Sequence, residues 1–202
     1  MKKIVLSLIL VNLLLGVYSQ NIEFKSGLNL SKALYFVGDT SVFTNRLPGI
    51  NAGVVGEFKL ANNLYLSTSV GFSQRGYKIN DSGVHLKYRY NYIDIPASIV
   101  YKFELDNINF NFEFGPYLST GINGKYIQGG KTSKIHFGSA ANQVKRFDFG
   151  LNLGYCLEFE KITLRLNYMV GFINFANNGV ESLKNRAFTF SVGYKIKQYS
   201  NQ

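Results

Sequence analysis

The feature that most constrains this chain is a two-residue alternation of apolar and polar side chains, which recurs in eight runs. Successive side chains of a β-strand point to opposite faces, so each run predicts a strand with one apolar and one polar face. Residues 108–118, INFNFEFGPYL, show the pattern most clearly. The eight predicted strands are residues 22–32, 49–60, 64–77, 90–103, 108–118, 146–159, 162–175 and 187–197. Helical spacing is nowhere as regular, which indicates an all-β fold.

The connections between these runs alternate strictly between short and long. The short ones are residues 61–63, 104–107 and 160–161, and the long ones are residues 33–48, 78–89, 122–145 and 176–186. Consecutive connections of an up-and-down antiparallel sheet lie at opposite ends, so all long connections share one end. Outer-membrane barrels have this asymmetry, with short periplasmic turns and long extracellular loops. An even strand number also places both termini at the short-turn end.

The apolar face is predicted to lie outside. An eight-stranded barrel has an interior just wide enough for side chains. Eight inward rows rich in Phe and Tyr would overfill it, whereas Gly, Ser and Asn fit. The runs also reach the 9–11 residues or so that a tilted strand needs to cross a bilayer. The sequence therefore predicts an eight-stranded antiparallel up-and-down transmembrane β-barrel, and the alternative is a soluble ligand-binding barrel with apolar rows inward.

Two prolines oppose a regular barrel. Pro96 and Pro116 both lie inside predicted strands. Proline lacks the N–H that a ladder needs and is usually found at strand edges or bulges. A bulge or a strand end is therefore expected near each proline.

The N-terminus has the form of a secretion signal. Two lysines precede an apolar run at residues 4–17 that is shorter than a spanning helix needs. Cleavage is predicted between Ser19 and Gln20, which gives a signal peptide at residues 1–19 and a barrel domain at residues 20–202. The mature chain is expected in the outer membrane of a Gram-negative cell, so a nucleic-acid partner is not expected despite a formal charge of +10.

The polar faces carry charges that the barrel would enclose. Because a charge away from bulk water must be paired, a structural ionic network is predicted in the lumen. Its members are Lys25, Glu57, Lys59, Asp94, Lys102, Glu113, Asp148, Glu158, Arg165 and Lys195. Two other interpretations are that Glu113 and Asp148 form a catalytic carboxylate pair, or that the charges form a narrow path for ions.

The long-loop end is rich in cations and tyrosines. Its basic residues include Lys78, Lys87, Arg89, Lys125, Lys145, Arg146 and Arg186, and its tyrosines are Tyr77, Tyr88, Tyr90, Tyr92 and Tyr126. Such a rim suits contact with outer-membrane lipid and lipopolysaccharide phosphates, through charge attraction and interfacial aromatic rings. The alternative is that these charges merely keep the loops solvated.

Catalytic, cofactor and metal motifs are not recognised. Residues 124–133, GKYIQGGKTS, depart from the phosphate-binding loop because Gly130 precedes Lys131. His85 and His136 lie in predicted loops without a second ligand at metal spacing. A lipid-modifying enzyme would need a pair such as His85 and Ser82 at the outer rim. No catalytic residue, no cofactor and no metal are predicted.

Several segments together resemble the PorT-like family of outer-membrane β-barrel proteins. They are residues 24–31, 56–78, 92–103, 112–124, 147–159 and 188–196, with the markers GLN in the first strand, YIDIP in the fourth and GPY in the fifth. The resemblance implies an eight-stranded barrel in which both strand prolines are expected. The namesake of this family is linked to protein secretion through the type IX system, and the resemblance brings no catalytic residue. The tail KQYSNQ departs from barrels that end on a terminal Phe.

The function predicted from the sequence is thus a non-enzymatic integral outer-membrane barrel with a structural, surface-interaction or secretion-accessory role. Its protein partner, whether secretion machinery or a surface ligand, is not identified. The alternatives are an outer-membrane lipid-modifying enzyme and a narrow, porin-like channel for small solutes.

Overall fold

Ten β-strands make up the regular structure of this chain. The computed structural model describes residues 21–81, 84–105, 108–140, 143–177 and 181–198. The strands are β1 (Asn21–Val37), β2 (Thr40–Val42), β3 (Asn45–Lys59), β4 (Leu64–Asp81), β5 (Val84–Leu105), β6 (Ile108–Gln128), β7 (Lys131–Ile135), β8 (Phe147–Phe159), β9 (Ile162–Gly171) and β10 (Glu181–Gln198). No helix in the described part of the chain is long and apolar enough to cross a membrane.

Eight of these strands close into a ring. Their order is β1-β3-β4-β5-β6-β8-β9-β10, and β10 pairs with β1 from Asn21↔Gln198 to Val37↔Glu181. The short strands β2 and β7 extend from this ring by pairing with β1 and β6. The ladders between named strands are antiparallel, which confirms the predicted barrel. The predicted signal peptide lies outside the described residues and stays a prediction.

The predicted long loops are largely strand. β4 and β5 remain paired as far as Asp81↔Val84, and β5 and β6 as far as Leu86↔Gln128. Alternation continues through these segments, because Tyr88, Tyr90 and Tyr92 recur at every second position of β5 and pack inward. The barrel wall therefore extends beyond the apolar band at the long-connection end, whereas the opposite end has tight turns such as residues 60–63.

The two faces of the wall are inverted relative to those of a soluble protein. Large apolar side chains are exposed on the outside, as for Phe24 at 52%, Leu28 at 59% and Phe114 at 47%. Polar side chains are buried inside, as for Glu57 at 2% and Asn111 at 1%. Exposure of this apolar outer face to water would be unfavourable, whereas contact with lipid hydrocarbon is favourable. The wall is therefore that of a membrane barrel.

A strand end near each proline is not found, and the nearest bulge is displaced from both prolines. The β4–β5 ladder is interrupted at residues 95–96 and the β5–β6 ladder at residues 115–116, but the register is the same on both sides of each interruption. A missing N–H removes one ladder bond without adding a residue to either strand. The register shift in this region lies instead between Asn91 and Tyr92, where β6 contains the extra residue Ile122.

Aromatic side chains close the long-connection end of the bore. Tyr77, Tyr90, Tyr92, Phe137 and Phe175 form this aromatic plug, and the Tyr90 ring lies 5.6 Å from Phe175 and 6.2 Å from Phe137. The expectation that the rim tyrosines contact lipid as interfacial rings is therefore wrong for Tyr77, Tyr90 and Tyr92, which are buried inside. Alternation alone is compatible with the tyrosines of residues 88–92 facing either lipid or lumen, and in the structure their rings face the lumen.

Candidate functional site

A first ionic cluster in the lumen is centred on Arg165 of β9. Its guanidinium donates two hydrogen bonds to Glu23, with Nε–Oε1 at 3.0 Å and Nη2–Oε2 at 2.8 Å. It also contacts Glu113 Oε2 at 3.2 Å and Glu57 Oε1 at 3.4 Å. These carboxylates belong to β1, β6 and β3, none of which is adjacent to β9 in the ring. The Arg165 side chain therefore bridges the bore.

A second group joins this cluster through Glu57. Lys102 Nζ lies 2.8 Å from Glu57 Oε2 and 3.1 Å from Glu158 Oε2. Lys195 pairs with the other oxygen of Glu158, and the Asn111 amide donates to Glu158 at 3.0 Å. Glu57 is thus shared between Arg165 and Lys102, which makes the two groups one continuous network.

A separate cluster surrounds Arg75 of β4, nearer the aromatic plug. Arg75 pairs with Asp94 and lies 3.5 Å from Asp148 on β8, across the bore. Asp148 also accepts hydrogen bonds from Tyr117 at 3.1 Å and Asn185 at 2.8 Å. Glu113 and Asp148 therefore belong to different clusters, and the two carboxylates share no hydrogen-bond or ion-pair partner among the described residues.

A small cavity of about 60 Å³ lies between the two clusters. Asn29, Asn51, Lys25 and Arg165 are among its lining residues, and the Asn51 amide donates to Asn29 at 3.1 Å. This volume can hold a few water molecules, since a water needs roughly 10–15 Å³ of such space. It is too small for a solute such as a sugar or an amino acid, so side chains fill the lumen.

The network differs from the predicted set at four charged residues. Lys25 lines the cavity but forms no salt bridge with another described residue. Lys59, at the turn-side end of β3, is exposed rather than enclosed. Glu23 and Arg75 were not in the predicted set, yet both are buried within the clusters. Alternation could have placed them, because Glu23 shares the face of Lys25, and Arg75 shares the face of Ser73.

The predicted basic rim is spread over the long-connection end of the barrel. Lys87, Lys125, Lys145 and Arg146 are exposed, while Lys78, Arg89 and Arg186 are half-buried. Lys78 pairs directly with Lys87, and Arg89 with Lys125.

Two of these rim arginines bind backbone carbonyls. Arg186 donates to the carbonyls of Gly171 at 2.7 Å and Asn185 at 2.8 Å, and Arg89 donates to that of Pro48 at 3.4 Å. Lys125 and Arg146, in contrast, line one cleft together with Lys134 and His136.

Both histidines, His85 and His136, are exposed. His85 Nδ1 lies 3.1 Å from the side-chain oxygen of Asn80 and is exposed, and Ser82, its suggested partner, lies outside the described residues. Within the described ranges, no group of three or more His, Cys, Asp or Glu side chains could hold a metal ion.

Comparison with known proteins identifies the architecture. A family model described as outer membrane protein beta-barrel domain matches residues 18–177. A search of curated proteins found no match. Among solved structures, Ail, the attachment invasion locus protein of Yersinia pestis, is similar at 14% identity and a TM-score of 0.47, covering 88% of this chain and 99% of that one.

Two further solved structures are similar at the same level. Neisserial surface protein A gives 16% identity and a TM-score of 0.49, covering 87% of this chain and 97% of that one. The outer membrane protein OprG from Pseudomonas aeruginosa gives 8% and 0.48, covering 89% and 97%.

Proposed function

Since this chain belongs to the outer membrane protein beta-barrel domain family, we propose that it is a non-enzymatic outer-membrane barrel that acts by surface interaction or as an accessory of secretion. In this proposal the extended strand ends and residues 136–146 are extracellular, and the ends of β1 and β10 at Asn21 and Gln198 are periplasmic. The long and short connections of bacterial barrels are oriented in this way.

The observation that carries this proposal is the obstruction of the bore at three levels. Arg165 links β9 to β1, β3 and β6, Arg75 links β4 to β8, and the aromatic plug covers the end beyond Arg75. Charged side chains at these distances leave room for water molecules and none for a hydrated solute. The barrel is therefore a membrane scaffold that presents its outer end, and not a general porin.

Planar-bilayer recording tests the closed lumen. The purified full chain is first shown to be folded by its different gel migration before and after boiling. We expect inserted protein to give no steps of nanosiemens size, because the obstructing side chains are fixed by ion pairs. Steps of that size in folded wild-type protein would refute the proposal, and small cation-selective steps would favour the narrow channel instead.

The non-enzymatic part of the proposal has a direct test. The exposed histidines, His85 and His136, are the remaining candidates for rim chemistry on lipid. Lipid A from cells that express the wild type, His85→Ala or His136→Ala is expected to have the same mass spectrum as lipid A from cells without the protein. A modification present with the wild type and lost with either variant would establish an enzyme.

The secretion-accessory form rests on the resemblance to PorT-like proteins. The polar residues of the YIDIP and GPY markers surround one arginine: Asp94 pairs with Arg75, and the rings of Tyr92 and Tyr117 lie 4.5 Å and 5.6 Å from its guanidinium carbon. These markers thus build the lumen cluster rather than an outer surface. Co-purification with secretion components from solubilised outer membrane, together with loss of exported cargo on gene deletion, would support this form. Unchanged export would exclude the secretion-accessory form and leave surface interaction as the proposed role.

A further inference from the structure

An outward-facing cleft lies beside the bulge of β6. It has a volume of about 640 Å³, which is within the range of small-molecule pockets, roughly 300–1,000 Å³. Its floor is a ladder of amides across three strands, in which Gln74 donates to Asn91 at 3.1 Å and Asn91 donates to Asn123 at 2.7 Å. The extra residue, Ile122, allows Asn123 to face outward next to this ladder.

The walls of the cleft carry positive charge without a compensating carboxylate. Lys125 of β6, Lys134 of β7 and Arg146 line it together with His136, and its described lining contains no Asp or Glu. Lys125 is paired directly with Lys134 on one side and with Arg89 on the other. Like charges directly opposite each other destabilise a sheet. An anion in the cleft would remove this repulsion.

The position of the cleft relative to the apolar band indicates where this anion comes from. Phe72 and Ile93 are the last apolar outward residues of β4 and β5, and Gln74 and Asn91 are the next outward positions. Lys125 lies two residues beyond Asn123, about 7 Å along the strand. The polar interface of a bilayer is about 5–8 Å thick on each side of the hydrocarbon core. The cations thus lie at the level of lipid headgroups.

We propose that this cleft binds the phosphorylated sugar headgroup of an outer-leaflet glycolipid. Lys125, Lys134 and Arg146 contact phosphate oxygens, with the Arg146 guanidinium able to bind two of them. The amides of Asn91 and Asn123 lie where they can hydrogen-bond to sugar hydroxyls. This assignment rests on the proposed function, because it requires the cleft end of the barrel to face outward.

Titration of the detergent-solubilised full chain with bisphosphorylated lipid A, followed by native mass spectrometry in EDTA, tests the proposal. The cleft variant is Lys125→Gln/Lys134→Gln. The matched control, Lys32→Gln/Lys184→Gln, removes the same charge from β1 and β10, outside the cleft. We expect the cleft variant to bind lipid A at least about 10-fold more weakly, and the control to change by less than about 2-fold.

Each alternative outcome contradicts the proposal in a distinct way. An equal loss in both variants would indicate non-specific charge attraction, and equal binding of dephosphorylated lipid A would exclude phosphate recognition. Displacement of lipid A by inorganic phosphate at a comparable concentration would assign the cleft to a soluble anion. Heat-modifiable migration checks that each variant is folded. If the proposed barrel itself were wrong, the wild type would never migrate as a folded form. Failure of the cleft proposal is therefore distinguishable from failure of the proposed function.

Discussion

Replacement of Arg165 by methionine tests the lumen network most directly. Methionine keeps much of the length of the side chain but removes its charge and its donors. Glu57 would keep its ion pair with Lys102, at 2.8 Å, and Glu113 would keep its hydrogen bond from Asn167. Glu23 would lose both bonds from the guanidinium, so it becomes the buried carboxylate that is least compensated.

The expected size of the effect follows from this arrangement. Removing one partner of a buried ion pair lowers stability by about 3–5 kcal/mol, because the remaining charge stays desolvated. The cavity of about 60 Å³ beside Arg165 allows water to reach the vacated space. We therefore expect Arg165→Met to lower the free energy of unfolding by about 3 kcal/mol, near the lower limit of that range.

A second substitution identifies the cause. Glu23→Gln in the Arg165→Met background removes the uncompensated charge, so this double variant should regain about 1–2 kcal/mol relative to the single variant. The control is Lys59→Met, which removes a cation from the exposed end of β3 and should change stability by less than about 0.5 kcal/mol.

The assay is equilibrium unfolding by guanidinium in phospholipid vesicles, with the heat-modifiable fraction and tyrosine fluorescence as two probes. Coincident curves establish a two-state transition. If Arg165→Met lowers stability no more than Lys59→Met, or if adding Glu23→Gln regains nothing, the ion pairs do not hold the lumen together and the reasoning is refuted.

Three other perturbations test different parts of the barrel. Phe114→Arg on the lipid face should lower stability by about 2–4 kcal/mol, whereas the same change at exposed Gln128 should have little effect in the same unfolding assay. Cys156 is buried on the lumen side, so a maleimide should label it only after unfolding, and rapid labelling of folded protein would contradict a filled bore. A Cβ at Gly121 would collide with the Phe137 ring, so Gly121→Val should displace the plug and lower stability in the same unfolding assay, while the Arg75 and Arg165 clusters keep the bore closed. Ion leakage across vesicles that carry this variant would contradict a bore closed by the ionic clusters.

The sequence predicted the fold because alternation and connection length act over the whole chain. Each strand face is specified locally, and a slip of one residue would expose the polar row to lipid. The narrow bore then determines which row lies inside. Glu113 and Asp148 could be placed in the lumen for this reason, and Glu23 and Arg75 could have been placed there by the same alternation.

Alternation specifies a face but not a height along the barrel axis. Lys59 has the right face for the lumen and yet is exposed, since it lies at the very end of β3. Residues 78–89 have the composition of a loop, but the sheet continues through residues 78–81 and 84–89, where Tyr77 stacks on Tyr88 with ring centres 4.8 Å apart. The energy of that pairing depends on the neighbouring strand and is not visible in either segment alone.

The sequence by itself thus determined an inside-out β-barrel, the number of strands in its ring and the faces of most of its charged residues. Only the tertiary structure decided which charges meet, because Arg165 reaches Glu57 through the stagger of strands around the ring. It also decided that Lys125, Lys134 and Arg146 share one cleft. That site depends on a single extra residue in β6 and on the place where Arg146 meets the wall, beside Gly121, and neither is encoded in a local pattern of residues.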